Sequence, residues 1–197
     1  MDHQRTIDGI EAQGGLAILA HPNWSSLSLE QCLGLHGYPA IEILNVVCNY
    51  LEYNGYALQY WDELLRRGVR VWGIAADDAH RIPYQAGKAW IMVNAERLTR
   101  DAILQNIRTG NFYASTGPCF ESLEAVGDTI RIACSPAVEV RFLTGPPSPA
   151  HRVRGEAVTQ AEFTARPGDP YVRVEVVDAE MRSAWSQPFF IDPDWRP

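Results

Sequence analysis

The run Gly73-Ile74-Ala75-Ala76-Asp77-Asp78-Ala79-His80 closes an apolar stretch with two acids and a histidine. On an extended strand end, residues two apart point the same way, so Asp78 and His80 share a direction. A carboxylate and an imidazole converging on one point make a grip for a divalent cation. A solvated acidic strand exit would carry the same letters. A second run, Leu16-Ala17-Ile18-Leu19-Ala20-His21-Pro22, has the same design: an apolar strand delivers a histidine and a proline then stops it. Both runs end at the carboxyl side of a strand, where α/β folds collect ligands. His21, Asp78 and His80 would hold one Zn²⁺ with a position open for water. Bound metal moves the pKa of that water toward neutrality and yields a hydroxide nucleophile. Fe²⁺ and Mn²⁺ accept the same donors, so the cofactor is expected to be Zn, Mn or Fe. Asp78 and His80 are the expected catalytic residues. Three separately hydrogen-bonded polar groups remain the alternative.

Other polar residues near these runs are weighed the same way. Glu42, alone in the apolar run Ile41-Glu42-Ile43-Leu44, must face solvent, a partner or a site. Asp77 is expected to face away from Asp78 and cap the following turn. Arg81 is placed to hold an anionic substrate, or is an exposed loop arginine. Glu42, Asp77 and Arg81 are therefore supporting or substrate-contacting candidates. His3, His36 and His151 read as surface. Ser115 has no neighbouring histidine to activate it, and a Gly-x-Ser-x-Gly elbow is absent. Trp61, Trp72 and Trp90 fall in core-like patterns.

The elements that must position these residues follow from periodicity and punctuation. A helix is expected over 5–13, closed by Gly14-Gly15, and a strand over 16–20. Ser28 and Gln31 fit a capping box opening a helix that stops near Gly34. A strand is expected over 40–44. Leu58, Trp61, Leu64 and Leu65 recur at helical spacing up to Gly68. Strands over 69–75 and 89–93 and a helix around Ile103, Leu104 and Ile107 complete the first half. This strand–helix alternation predicts a largely parallel sheet or part of a β/α barrel. After residue 115 the runs 122–126, 129–133, 138–143, 171–177 and 184–191 are β-rich. Gly127-Asp128 marks a tight hairpin. Alternation over 171–177 predicts one half-buried face. Pro146-Pro147-Ser148-Pro149 reads as a stiff surface loop. The expected organisation is a β/α domain over 1–115 and an antiparallel β-sandwich-like domain over 116–197.

Composition narrows the partners. The net charge is -7 with 17 Lys and Arg, and no basic cluster is present, so nucleic acid is not an expected partner. No apolar run reaches the ~20 residues of a membrane span, and the start of the chain lacks a signal-peptide pattern, so a cytoplasmic protein without membrane contact is expected. Cys32, Cys48, Cys119 and Cys134 show no C-x-x-C spacing and read as buried free thiols.

Ala20-His21-Pro22, Ile41-Glu42-Ile43-x-Asn45 and Ala76-Asp77-Asp78-Ala79-His80 resemble the later motifs of the PHP (polymerase and histidinol phosphatase) superfamily of metal-dependent phosphoesterases. Asn111-Phe112-Tyr113-Ala114-Ser115-Thr116-Gly117-Pro118, Tyr171-Val172-Arg173-Val174-Glu175 and Ala184-Trp185-Ser186-x-Pro188 resemble a branch with a β-rich C-terminal extension. The resemblance implies a distorted (β/α)₇ barrel, here a partial one, with His21, Asp78 and His80 as metal ligands. It implies hydrolysis of a small phosphorylated substrate by a metal-bound hydroxide. The family's opening His-x-His motif is absent. The chain is accordingly expected to be a truncated or short relative, or a catalytically inactive scaffold or binding module. Loss of the first barrel strands would bare a sheet edge and an apolar face, so a homo-oligomer or a partner chain is expected to cover them.

Overall fold

The computed structural model describes residues 2–145 and 151–191; the expected Pro146-Pro147-Ser148-Pro149 loop lies outside them. Helix α1 (His3–Glu11) starts at Asp2, whose carboxylate accepts the Arg5 N–H. Strands β1 (Ile18–Leu19), β2 (Ala40–Asn45) and β3 (Trp72–Ala76) form a three-stranded parallel sheet in that order. Between β1 and β2 lies α2 (Leu29–Gly34), opened by the expected capping box: Gln31 N–H donates to Ser28 Oγ at 3.2 Å and Ser28 N–H to Gln31 Oε1 at 2.7 Å. Helix α3 (Val46–Glu52) follows β2 without a break. Helix α4 (Leu58–Arg66) buries Trp61, Leu64 and Leu65. A Cβ at Gly73 would stand 2.9 Å from the Trp61 ring, so a glycine at that point of β3 lets α4 close onto the sheet.

After β3 the expected barrel does not continue. Strand β4 (Trp90–Val93) and β5 (Phe112–Ser115) flank α5 (Arg100–Arg108) but pair antiparallel. They join β6 (Phe120–Val126), β7 (Thr129–Leu143), β9 (Tyr171–Val177) and β10 (Ser183–Ser186) in one sheet of order β4-β5-β10-β9-β7-β6. Strand β8 (His151–Thr164) pairs with β7, and β11 (Phe189–Phe190) with β9. The described residues are 38% strand and 22% helix, and the large sheet curls into an antiparallel half-barrel. The expectation of a partial β/α barrel followed by a β-sandwich-like region is therefore wrong. Its physical cause is long-range pairing: β5 takes its second partner from β10, some seventy positions away, which local alternation cannot show. Strands β4 and β5, which precede residue 116, lie in the same sheet as the strands that follow it.

Strand β9 is buried at all seven positions, which replaces the half-buried face expected of it. The reason is that α4 reaches its charged side chains. Arg173, with 1% of its side chain exposed, pairs with Asp62 of α4 and with Glu175, each at 2.6 Å. One core surrounds the parallel sheet and takes in Tyr171 and Trp185 from the later half of the chain. A second fills the large sheet with Ile130, Val140, Phe142, Val172 and Val174. Cys32, Cys48 and Cys134 are buried free thiols, whereas Cys119 is exposed. Among the described residues no helix is long and apolar enough to cross a membrane.

Candidate functional site

The carboxyl ends of β1 and β3 deliver His21 and the 78–80 segment to one cleft of about 690 Å³. His21, Asp78, His80 and Arg81 line it together with Trp24, Val47 and Tyr50. His21 stands at the mouth of a turn in which the Ser25 N–H donates to the His21 carbonyl at 3.0 Å. Its Nδ1 pairs with Ser25 Oγ at 2.8 Å, so the tautomer protonated there presents a free Nε2. His21 has φ 29° and Asp78 φ 54°, a region unfavourable for residues with a Cβ. Such strain, on the order of 1–3 kcal/mol per residue, gathers at ligand clamps and active sites.

Behind the cleft, Asn45 ties the pieces together. It is fully buried, and its amide donates to Glu42 Oε2 and to Asp78 Oδ2, both at 3.1 Å. Its carbonyl oxygen accepts the Cys48 N–H and so caps α3. Glu42 Oε2 also accepts the His21 N–H at 2.7 Å. A single hydrogen-bonded chain thus runs from the end of β1 through β2 to the end of β3. A Cβ at Gly55 would lie 2.0 Å from the Asn45 carbonyl oxygen, so a glycine is needed there for the backbone to pass.

Asp77 turns away from the cleft. Its carboxylate accepts the N–H groups of Gly87, Lys88 and Ala89, which closes the base of the 78–86 loop. The loop is braced from inside by Gln85, whose Oε1 accepts the N–H groups of His80 and Arg81. His80 and Arg81 themselves are exposed. Ser115, buried, donates its hydroxyl to the Pro118 carbonyl and accepts the Gly117 N–H, a turn brace with no route to catalysis.

Among the described residues, no three His, Cys, Asp or Glu side chains group closely enough to hold a metal ion. His21, Asp78 and His80 share a cleft without closing on one point. The reason lies in the backbone. Strand β3 ends at Ala76, and Asp78 sits in the left-handed region. The two-residue alternation that aligned Asp78 with His80 therefore stops before either residue. As a self-sufficient metal centre the set does not fit. Burial first, then the charges of Asp78, Glu42 and Glu52, push the Cys48 thiol up to about 11, so it stays protonated.

Sequence reasoning did not single out Asn45, Ser25 or Gln85 as site residues. Asn45 had a usable signal, since an asparagine between a strand and a helix is a preferred N-cap. Searches against family models, curated proteins and solved structures find no match to this chain.

Proposed function

We propose that this chain carries part of a divalent-metal hydrolase site of the PHP phosphoesterase kind. The remaining donors come from another polypeptide segment, and the 197 residues are catalytically silent without it. The observation that carries this reading is the chain His21–Glu42–Asn45–Asp78, which ties the two strand ends that bring His21 and Asp78 to one cleft. Such bracing of ligand-bearing groups is what holds metal sites in register. The lack of a third grouped donor supports silence in isolation. In this reading His21 and Asp78 supply two of the donors, the other segment supplies the rest, and Arg81 meets the phosphoryl group of the substrate. The metal is Zn, Mn or Fe.

The test is equilibrium dialysis of the purified chain against Zn²⁺ and Mn²⁺, with hydrolysis of bis-p-nitrophenyl phosphate followed alongside. Weak binding lost in Asp78→Ala and in His21→Ala, without turnover, is the expected result. Equal metal uptake by wild type and both variants would overturn the assignment. A metal-free binding module is the second reading, favoured by the same missing donor. It predicts no uptake at all.

A further inference from the structure

Large apolar side chains stand in solvent on the three segments that build the cleft. Tyr50 is 78% exposed, Leu51 61% and Tyr53 89%, at the end of α3 and just beyond it. Ile82 and Tyr84, at 80% and 84%, occupy the 78–86 loop, and Trp24, at 42%, follows His21. Asn23 fastens the Trp24 segment to the Tyr53 side by donating to the Asn54 and Tyr56 carbonyls. At roughly 150–250 Å² per large aromatic, the exposed parts of these four rings with Leu51 and Ile82 present on the order of 800 Å², about what one partner contributes to a standard interface. Tyrosine and tryptophan are the residues that dominate interface energetics.

We propose that this collar is an isologous interface through which a second copy of the chain docks over the cleft. The cleft's rim is self-complementary: Glu52 and Arg81 both line it, and neither makes an ion pair among the described residues. In a two-fold contact, each copy's acid meets the other's base. The charge of -7 on each copy opposes association only weakly at physiological salt, where screening acts within about 8 Å.

Light scattering on the full chain, from 1 to 100 μM, tests it. A mass approaching twice the 22.0 kDa of one chain is expected at the upper end. Tyr50→Asp and Tyr84→Asp should each return it to monomer, with the far-ultraviolet spectrum unchanged. Leu98→Asp, at a 95% exposed position away from the cleft segments, should leave the dimer intact. Glu52→Arg and Arg81→Glu should each weaken the dimer tenfold or more, and the double variant should restore it. A wild-type monomer throughout, a dimer indifferent to the collar variants, or a charge swap that fails to restore would overturn the proposal. A dimer that takes up no metal would retain the interface and end the hydrolase reading. A monomer that binds metal would do the reverse.

Discussion

At Asn45 both amide hydrogens and the carbonyl oxygen of one buried side chain are engaged. Glu42 and Asp78 meet the same nitrogen, so its removal leaves two neighbouring carboxylates without the donor they share, Glu42 keeping only the His21 N–H. Asn45→Leu should cost about 1–3 kcal/mol in urea unfolding, the usual penalty for orphaned buried polar groups. Asn45→Asp should cost more, by adding like charge. The thiols give a second residue-level expectation. Ellman's reagent at pH 8 should modify Cys119 in the native protein, while Cys48 reacts only after unfolding, because it is buried and held protonated. Rapid labelling of Cys48 would contradict the cleft geometry. At this scale the sequence was partly readable. His21, Asp78 and His80 do line a common cleft, and Asp77 does serve as a backbone acceptor. What it could not show was the left-handed turn at Asp78, since aspartate tolerates a positive φ but far more often lacks one.

Among the elements, those with a clean period or a polar cap were legible. Helices α1, α2, α4 and α5 and strands β2 and β9 lie near their expected places. The exceptions have local causes. Strand β7 is one continuous strand where two were expected, because Pro136 falls at an irregularity between Ala133 and Ala137, a position that tolerates a missing donor. Strand β8 escaped notice because its side chains are exposed on nearly every position, so it has no apolar alternation to detect. Helix α3 is short and runs directly out of β2, leaving no loop signal. The packing of α4 on β3 yields a sharp expectation. Gly73→Ala forces a methyl against the Trp61 ring, whose Nε1 already donates to the Val71 carbonyl. Overpacking of this kind costs about 1–3 kcal/mol, so the melting temperature should fall with a changed near-ultraviolet tryptophan signal.

Over the whole molecule, a chain of charges spans the two cores. Asp62, Arg173, Glu175, Arg141, Glu139 and Arg154 follow one another at 2.6–3.4 Å. Arg173 also stacks 4.9 Å above the Trp61 ring. Arg173→Ala leaves Asp62 uncompensated and Glu175 with Arg141 alone at 3.4 Å, and should cost about 3–5 kcal/mol, as removing one partner of a buried pair does. The network also sets the acid response. Burial alone would raise the Glu139 carboxyl, but hydrogen bonds and charge from Arg141 and Arg154 outweigh it and hold the group below its ordinary value. Its stabilisation is complete above the unfolded pKa and is lost as pH falls through the lowered folded value. Asp62 runs the other way: burial outweighs Arg173 and raises its pKa, so protonation there partly offsets the loss. Glu139→Gln should melt lower than wild type at pH 7, and the gap should narrow below about pH 4. A gap constant with pH would remove Glu139 from the network.

Gln187 fits a whole-chain role that its distance from the cleft conceals. Its side-chain amide mimics a neighbouring strand, accepting the Gly73 N–H at 2.7 Å and donating to the Gly73 carbonyl at 2.9 Å. The strand that leads to Asp78 is thus finished along its outer flank by a residue 114 positions later. A polypeptide cut short at residue 115 would lack that mimic, the β10 partner of β5 and the guanidinium of Arg173. Such a fragment should emerge as an aggregating or protease-sensitive species. The region around His21 and Asp78 can hold its shape only once the far end of the chain has returned to it.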